Sequence, residues 1–221
     1  MKPVVIAGYK RSPFHFAHKG QLVKKRPDDL AADVVRGLIE SSGVDPAGIE
    51  DLIMGCAFPE GEQGFNVARI VGLLADLPIS VAGVTVNRFC GSSMQSIHIA
   101  AGAIQMNAGD AFICAGVESM SRVPMGGYNP MPNADLYERN EGAYMAMGET
   151  AENLAQKYQI PRAEQEALAV SSHAKAVAEA ATATLGGISA YVDPQPADWL
   201  AAQHIPGDDD VDADGTAVVL G

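Results

Sequence analysis

The chain has 221 residues, 48% of them hydrophobic but only 6% aromatic, with a formal net charge of −12. That length suits one large domain or two small ones and can bury a real core. The acidic balance argues against nucleic acid as a partner, no apolar run approaches membrane-spanning length, and no signal-peptide pattern opens the sequence.

The three cysteines, Cys56, Cys90 and Cys114, show no C-x-x-C pair and no metal-ligand spacing. This fits a reducing compartment rather than a disulfide framework, so a cytoplasmic location and no metal site are expected. Cys56 and Cys114 read as small core residues at the ends of apolar runs.

In chain order, residues 3–8 predict a first, buried strand continuing toward Lys10. A basic loop follows at 11–27; Lys10, Arg11, Lys19, Lys24, Lys25 and Arg26 form a cationic island there, either a solvated surface or a phosphate-facing one. Asp28-Asp29 predict the cap of a helix with Leu30, Val34, Val35, Leu38 and Ile39 on one face and Gly43 at its end. Residues 49–56 predict a second strand, 58–65 a Gly/Glu-rich loop, and Asn66 the start of a helix through Leu74. A third strand at 81–86 is followed by a helix to about residue 108, and a fourth strand spans 111–116. Residues 120–144 lose all periodicity, and helices resume at 148–156 and 161–183. Strands alternating with helices imply right-handed crossovers and a sheet covered on both faces, with chemistry at the carboxyl ends of the strands.

The most informative stretch is V-N-R-F-C-G-S-S-M-Q-S-I at 86–97. Cys90 falls where a β-branched run meets a helical pattern marked by Met94, Ile97, Ala101 and Ile104. The first N–H groups of a helix lack intrahelical partners, and with the helix dipole they favour a thiolate over a thiol. Gly91, Ser92 and Ser93 leave room for another group to approach the sulfur. Position alone leaves a nucleophile and a buried core cysteine equally open.

This stretch resembles the acylation motif of the thiolases, in which the nucleophilic cysteine lies in V-N-x-x-C-x-S-x-x-Q. R-S-P-F at 11–14, G-V-E-S-M-S at 116–121 and M-G-E-T-A-E-N-L-A at 147–155 resemble thiolase segments in the same order. The resemblance implies an α/β, thiolase-like layered fold: helices packed on a mostly parallel, five-stranded mixed sheet, one half of the duplicated thiolase architecture. It divides the chain into an N-terminal α/β domain, 1–117 with 211–221, and a shortened, mainly helical loop domain, 118–210, of the kind that covers coenzyme A. It makes Cys90 the nucleophile that carries an acyl group, with its backbone N–H as an oxyanion donor. Met147 matches a methionine that lines the pantetheine tunnel, and Arg11, Met120 and Met125 are further candidates for coenzyme A contact. Acyl-CoA is then a substrate, with no tightly bound cofactor, and residues 81–87 form a homodimer contact.

The resemblance is incomplete. Ala146 stands where the family's H-M-G segment has histidine, and residues 186–206, with the sole Trp199, match nothing. The family's second half, with its asparagine in an N-E-A-like motif, G-H-P histidine and C-x-G-G-G cysteine, has no counterpart here. His15, His18, His98, His173 and His204 do not fall at the catalytic position; His98 and His173 read as structural or surface residues. Residues 211–221 resemble the strand that closes the first half. Three readings follow: one subunit of a split thiolase whose partner chain brings the second half, a thiolase-like domain that binds acyl-CoA or a protein without turnover, or a piece of an ordinary thiolase.

Overall fold

In the computed structural model, residues 2–13, 15–184 and 211–220 are described. Trp199, His204 and the unmatched run 186–206 lie outside them. The described residues fall into two compact units, one reaching Tyr128 and including the strand near the C-terminus, the other starting at Asn129.

The first unit contains β1 (Val5–Arg11), the two-residue β2 (His15–Phe16), α1 (Pro27–Ser42), β3 (Asp51–Gly55), α2 (Val67–Leu74), β4 (Ala82–Val86), α3 (Ser92–Gln105), β5 (Ala111–Glu118) and β6 (Val211–Leu220). The sheet runs β1-β6-β5-β3-β4, with β2 attached to β6. β3 pairs in parallel with β4 and β5, while β6 runs antiparallel between β5 and β1. The expected mixed sheet is therefore present, with one strand more than the five expected because the short β2 interrupts the basic loop.

Alternation along β3 and β5 assigns each side chain to a layer. Leu52, Met54, Ile113, Ala115 and Val117 are buried in one cluster with α1 and α2, through Val35, Leu38, Val67 and Val71. Ile53, Phe112 and Cys114 are buried on the opposite face against Ala100 and Ile104 of α3. Truncating one of these residues, Leu52 for example, costs about 2–5 kcal/mol through lost transfer energy and the cavity left behind. Cys56, just beyond β3, and Cys114, in the middle of β5, are both buried, in line with a packing role.

Pro27 opens α1 at its first turn, Asp28 and Asp29 follow, and Gly43 closes the helix with φ 66°. The cap residue is Arg26 rather than the aspartates, since proline needs no amide partner at that position. β1 corrects a further expectation. It is not a buried strand: Val5 and Ile6 are exposed, because β6 inserts between β1 and the central strands and leaves β1 at the sheet margin.

The second unit is helical: α4 (Ala134–Arg139), a 3-10 turn at Glu141–Tyr144, α5 (Met147–Tyr158) and α6 (Arg162–Thr184). α4 breaks the expectation of an aperiodic 120–144 stretch. Asn133 caps it by accepting from the Leu136 N–H at 2.8 Å, and the Tyr137 and Tyr144 rings lie 6.3 Å apart. No side chain whose exposure is described is buried in this unit.

Candidate active site

The carboxyl ends of β3, β4 and β5 hold the turn that carries Cys90. Between the end of β4 and the start of α3 the backbone folds sharply, with Phe89 in the left-handed region at φ 45°. A bulky residue there is strained, so the surroundings must hold it. Asn87 does part of this: its Oδ1 accepts from the Phe89 N–H at 2.8 Å, while its Nδ2 donates to the Ala57 carbonyl at 2.9 Å. Ser92 does the rest. Its hydroxyl donates to the Phe89 carbonyl at 2.6 Å and accepts from the Arg88 N–H at 2.8 Å. The Phe89 ring is tilted against Phe58, with centroids 6.0 Å apart.

Cys90 itself is exposed, one residue before the Gly91 cap of α3. The helix start lies directly on β3, since a Cβ on Gly55 would collide with the backbone of Ser92 and Ser93. Only glycine at that strand end lets α3 begin so close to the sheet. The turn thus offers a thiol to solvent at a helix N-terminus, with the residues on either side pinned. No histidine is hydrogen-bonded to Cys90 among the described residues. His98 lies two turns along α3 and is exposed, as is His173 on α6.

A buried polar cluster lies under the turn. The fully buried Gln63 donates from Nε2 to Glu118 Oε1 at 2.7 Å and to the Phe58 carbonyl at 2.9 Å, and its Oε1 accepts from the Ser119 N–H at 2.6 Å. Glu118 Oε2 accepts from the Ala57 N–H at 2.8 Å. Sequence reasoning missed this cluster. Glu118 sits in the G-V-E-S-M-S segment and Asn87 three residues before Cys90, which were the only hints; nothing in the sequence marks Gln63.

Arg11 ends β1 and donates from Nη1 to the Ser12 carbonyl at 3.2 Å. Met120 is buried after β5, Met125 is exposed on the loop beyond it, and Met147 is exposed at the start of α5 in the second unit. Two members of the cationic island are ion-paired: Lys25 with Asp33 at 2.8 Å, and Arg26 with Asp28 at 2.7 Å and Glu62 at 3.3 Å. Arg26 and Glu62, with Gly61, Ser121, Arg122 and Tyr128, line a cleft of about 380 Å³ in the first unit. Glu62 is also joined to Arg122, whose guanidinium holds its carboxyl below the usual range. Cys90 is not among the residues that line this cleft.

No group of three or more potential metal ligands occurs among the described residues, and no described helix is long and apolar enough to cross a membrane. Residues 4–185 match the family model described as the thiolase N-terminal domain. The chain belongs to the thiolase family. It is 49% identical over 182 residues to a 3-ketoacyl-CoA thiolase of Bacillus subtilis, covering 81% of this chain and 46% of the relative. With a 3-ketoacyl-CoA thiolase of Pseudoalteromonas translucida it shares 44% identity over 179 residues, 80% of this chain and 46% of the relative. The chain therefore spans about half the length of these relatives. Its fold matches the Bacillus anthracis acetyl-CoA acetyltransferase with a TM-score of 0.74 at 26% identity, over 100% of this chain and 66% of that one. The Acat5 thiolase of Ascaris suum, solved in complex with coenzyme A, matches with a TM-score of 0.73 at 24% identity, over 100% and 66% respectively, which bears on the fold alone.

Proposed function

We propose that this thiolase-family chain carries the nucleophilic half of an acyl-CoA acyltransferase. Cys90 gives up its proton and its thiolate attacks the thioester carbonyl of an acyl-CoA; the carbon–sulfur bond to coenzyme A breaks, coenzyme A leaves as the thiolate and takes up that proton, and the acyl group remains on Cys90. The Cys90 N–H at the head of α3 is the proposed oxyanion donor. In the second half-reaction another acyl-CoA loses an α-proton and its carbanion attacks the acyl-cysteine, forming the carbon–carbon bond as the carbon–sulfur bond breaks and the Cys90 thiolate leaves to regain a proton; the reverse direction cleaves a 3-ketoacyl-CoA. The observation that carries this reading is the exposed Cys90 on a turn pinned by Asn87 and Ser92.

The second half-reaction needs a further acid/base group; none is hydrogen-bonded to Cys90 among the described residues, and we assign it to a complementary chain with the family's second half. The composition of α3 supports this. It contains no charged residue, and the side away from the sheet presents Met94, Ile99 and the open Gly102, a surface suited to a packed partner layer. β4 is a sheet edge with Val84 partly exposed and Phe65 98% exposed nearby, in keeping with a homodimer contact through 81–87. We assign residues 118–210 to a coenzyme A-covering domain, and Met147, Arg11, Met120 and Met125 are the candidate residues for coenzyme A contact. Coenzyme A thioesters serve as substrate rather than as a tightly bound cofactor, and the expected site of action is the cytoplasm.

A second reading, an acyl-CoA-binding domain without turnover, is favoured by one observation: no histidine is placed to deprotonate Cys90 among the described residues. Exchange of label between acetyl-CoA and free coenzyme A separates the two, because it requires only the first half-reaction. Exchange that depends on Cys90 and rises on adding the complementary half supports the acyltransferase; tight binding without exchange in either sample supports the binding domain.

A further inference from the structure

We propose that Glu118 and Asn87 are positioning residues for Cys90, acting as two ends of one hydrogen-bonded chain through the Ala57 peptide. The chain can be followed atom by atom. Gln63, itself completely buried, fixes Glu118 through its Nε2 and is fixed in turn by the Ser119 N–H. Glu118 Oε2 receives the Ala57 N–H at 2.8 Å. The same peptide's carbonyl receives Asn87 Nδ2 at 2.9 Å, and Asn87 Oδ1 receives the Phe89 N–H at 2.8 Å. Phe89, at φ 45°, is bonded to Cys90.

Each link has a direction that chemistry dictates. A carboxylate has only acceptors, so Ala57 N–H and Gln63 Nε2 must both point at Glu118. A peptide whose N–H donates to a carboxylate has a carbonyl that is a better acceptor, which favours the Asn87 donor on its far side. With Nδ2 so committed, Asn87 Oδ1 is left facing the Phe89 amide. The carboxylate at the end of β5 thereby selects the orientation of an amide on the Cys90 turn, and that amide offsets the cost of the left-handed Phe89.

This inference rests on Cys90 being the nucleophile, and its test is built so that the two can fail separately. In Glu118→Gln an NH₂ group must face either Gln63 Nε2 or the Ala57 N–H, both donors. Asn87→Ala cuts the chain at its exposed end. Amide hydrogen exchange over residues 87–91 is expected to quicken about tenfold in both variants, the scale of one hydrogen bond to a charged group, with α3 and β5 amides unchanged. Acetyl transfer to Cys90 falls by a similar factor, and the double variant is no worse than the more severe single one, because both break the same chain. Should Glu118→Gln fail to fold, Glu118→Asp, which keeps the charge but not the reach, replaces it. Wild-type exchange rates at 87–91 in both variants, or additive effects in the double variant, would overturn the proposal. A wild-type chain never acetylated on Cys90 would instead overturn the functional reading, while the exchange data still decide the chain of bonds.

Discussion

The Ser92 hydroxyl donates to the carbonyl of Phe89 at 2.6 Å, spanning Cys90 and Gly91 between them. Because the same oxygen accepts from the Arg88 N–H at 2.8 Å, one buried hydroxyl closes the turn from both sides. Ser92→Ala leaves the Arg88 amide without this acceptor. The expected cost is about 1–3 kcal/mol in chemical denaturation. A further expectation is lower Cys90 reactivity under conditions where the variant remains folded.

The three thiols differ in exposure enough to be told apart chemically. Burial among Ile53, Phe112 and α3 pushes the Cys114 thiol up to about 12, and Cys56 is also buried. A thiol so raised offers almost no thiolate at neutral pH. Under native conditions iodoacetamide is expected to modify Cys90 alone, with Cys56 and Cys114 reacting only on unfolding, as read by peptide mass mapping.

Glu62 gives the acid limb of stability a specific component. Its hydrogen bond to Arg122 lowers its folded value below the ordinary 4.5. The stabilisation is therefore present above that ordinary value and is lost as pH falls through the lowered one. Glu62→Gln should flatten the stability profile in this acid window, measured by urea titration at a series of pH values. At neutral pH the variant should be less stable than the wild type.

Asp51 acts in the opposite sense. Burial raises its folded value above the ordinary 3.8, and one carboxylate oxygen has no partner among the described residues. Protonation is favoured on folding, so the contribution is fully present below 3.8 and is lost as pH rises through the raised value. Asp51→Asn should melt higher than the wild type at neutral pH, with the gap closing toward about pH 3.

What the sequence disclosed and what it concealed follow from the range of the forces involved. The corner at Cys90 was legible because its signals are local: a β-branched run, an asparagine, small residues and then a helical period. Gly43 was legible for the same reason, since only its own backbone decides the cap. β1 misled because Val4-Val5-Ile6 looks the same whether it lies in the middle of a sheet or at its margin, and β6, some two hundred residues away, decides which. α4 was hidden among prolines and glycines by its short length; Asn133 three residues before Leu136 was its only mark. The Gln63–Glu118 pair, 55 positions apart, could be found only once β3 and β5 lay side by side.

The central claim is that Cys90 accepts the acyl group. Brief incubation of the chain with acetyl-CoA, acid quenching and peptide mapping test it directly. An acetyl group on the peptide containing Cys90, absent from a Cys90→Ser variant treated identically, is the predicted result. An acetyl group borne elsewhere, or equal labelling of the two proteins, would contradict it.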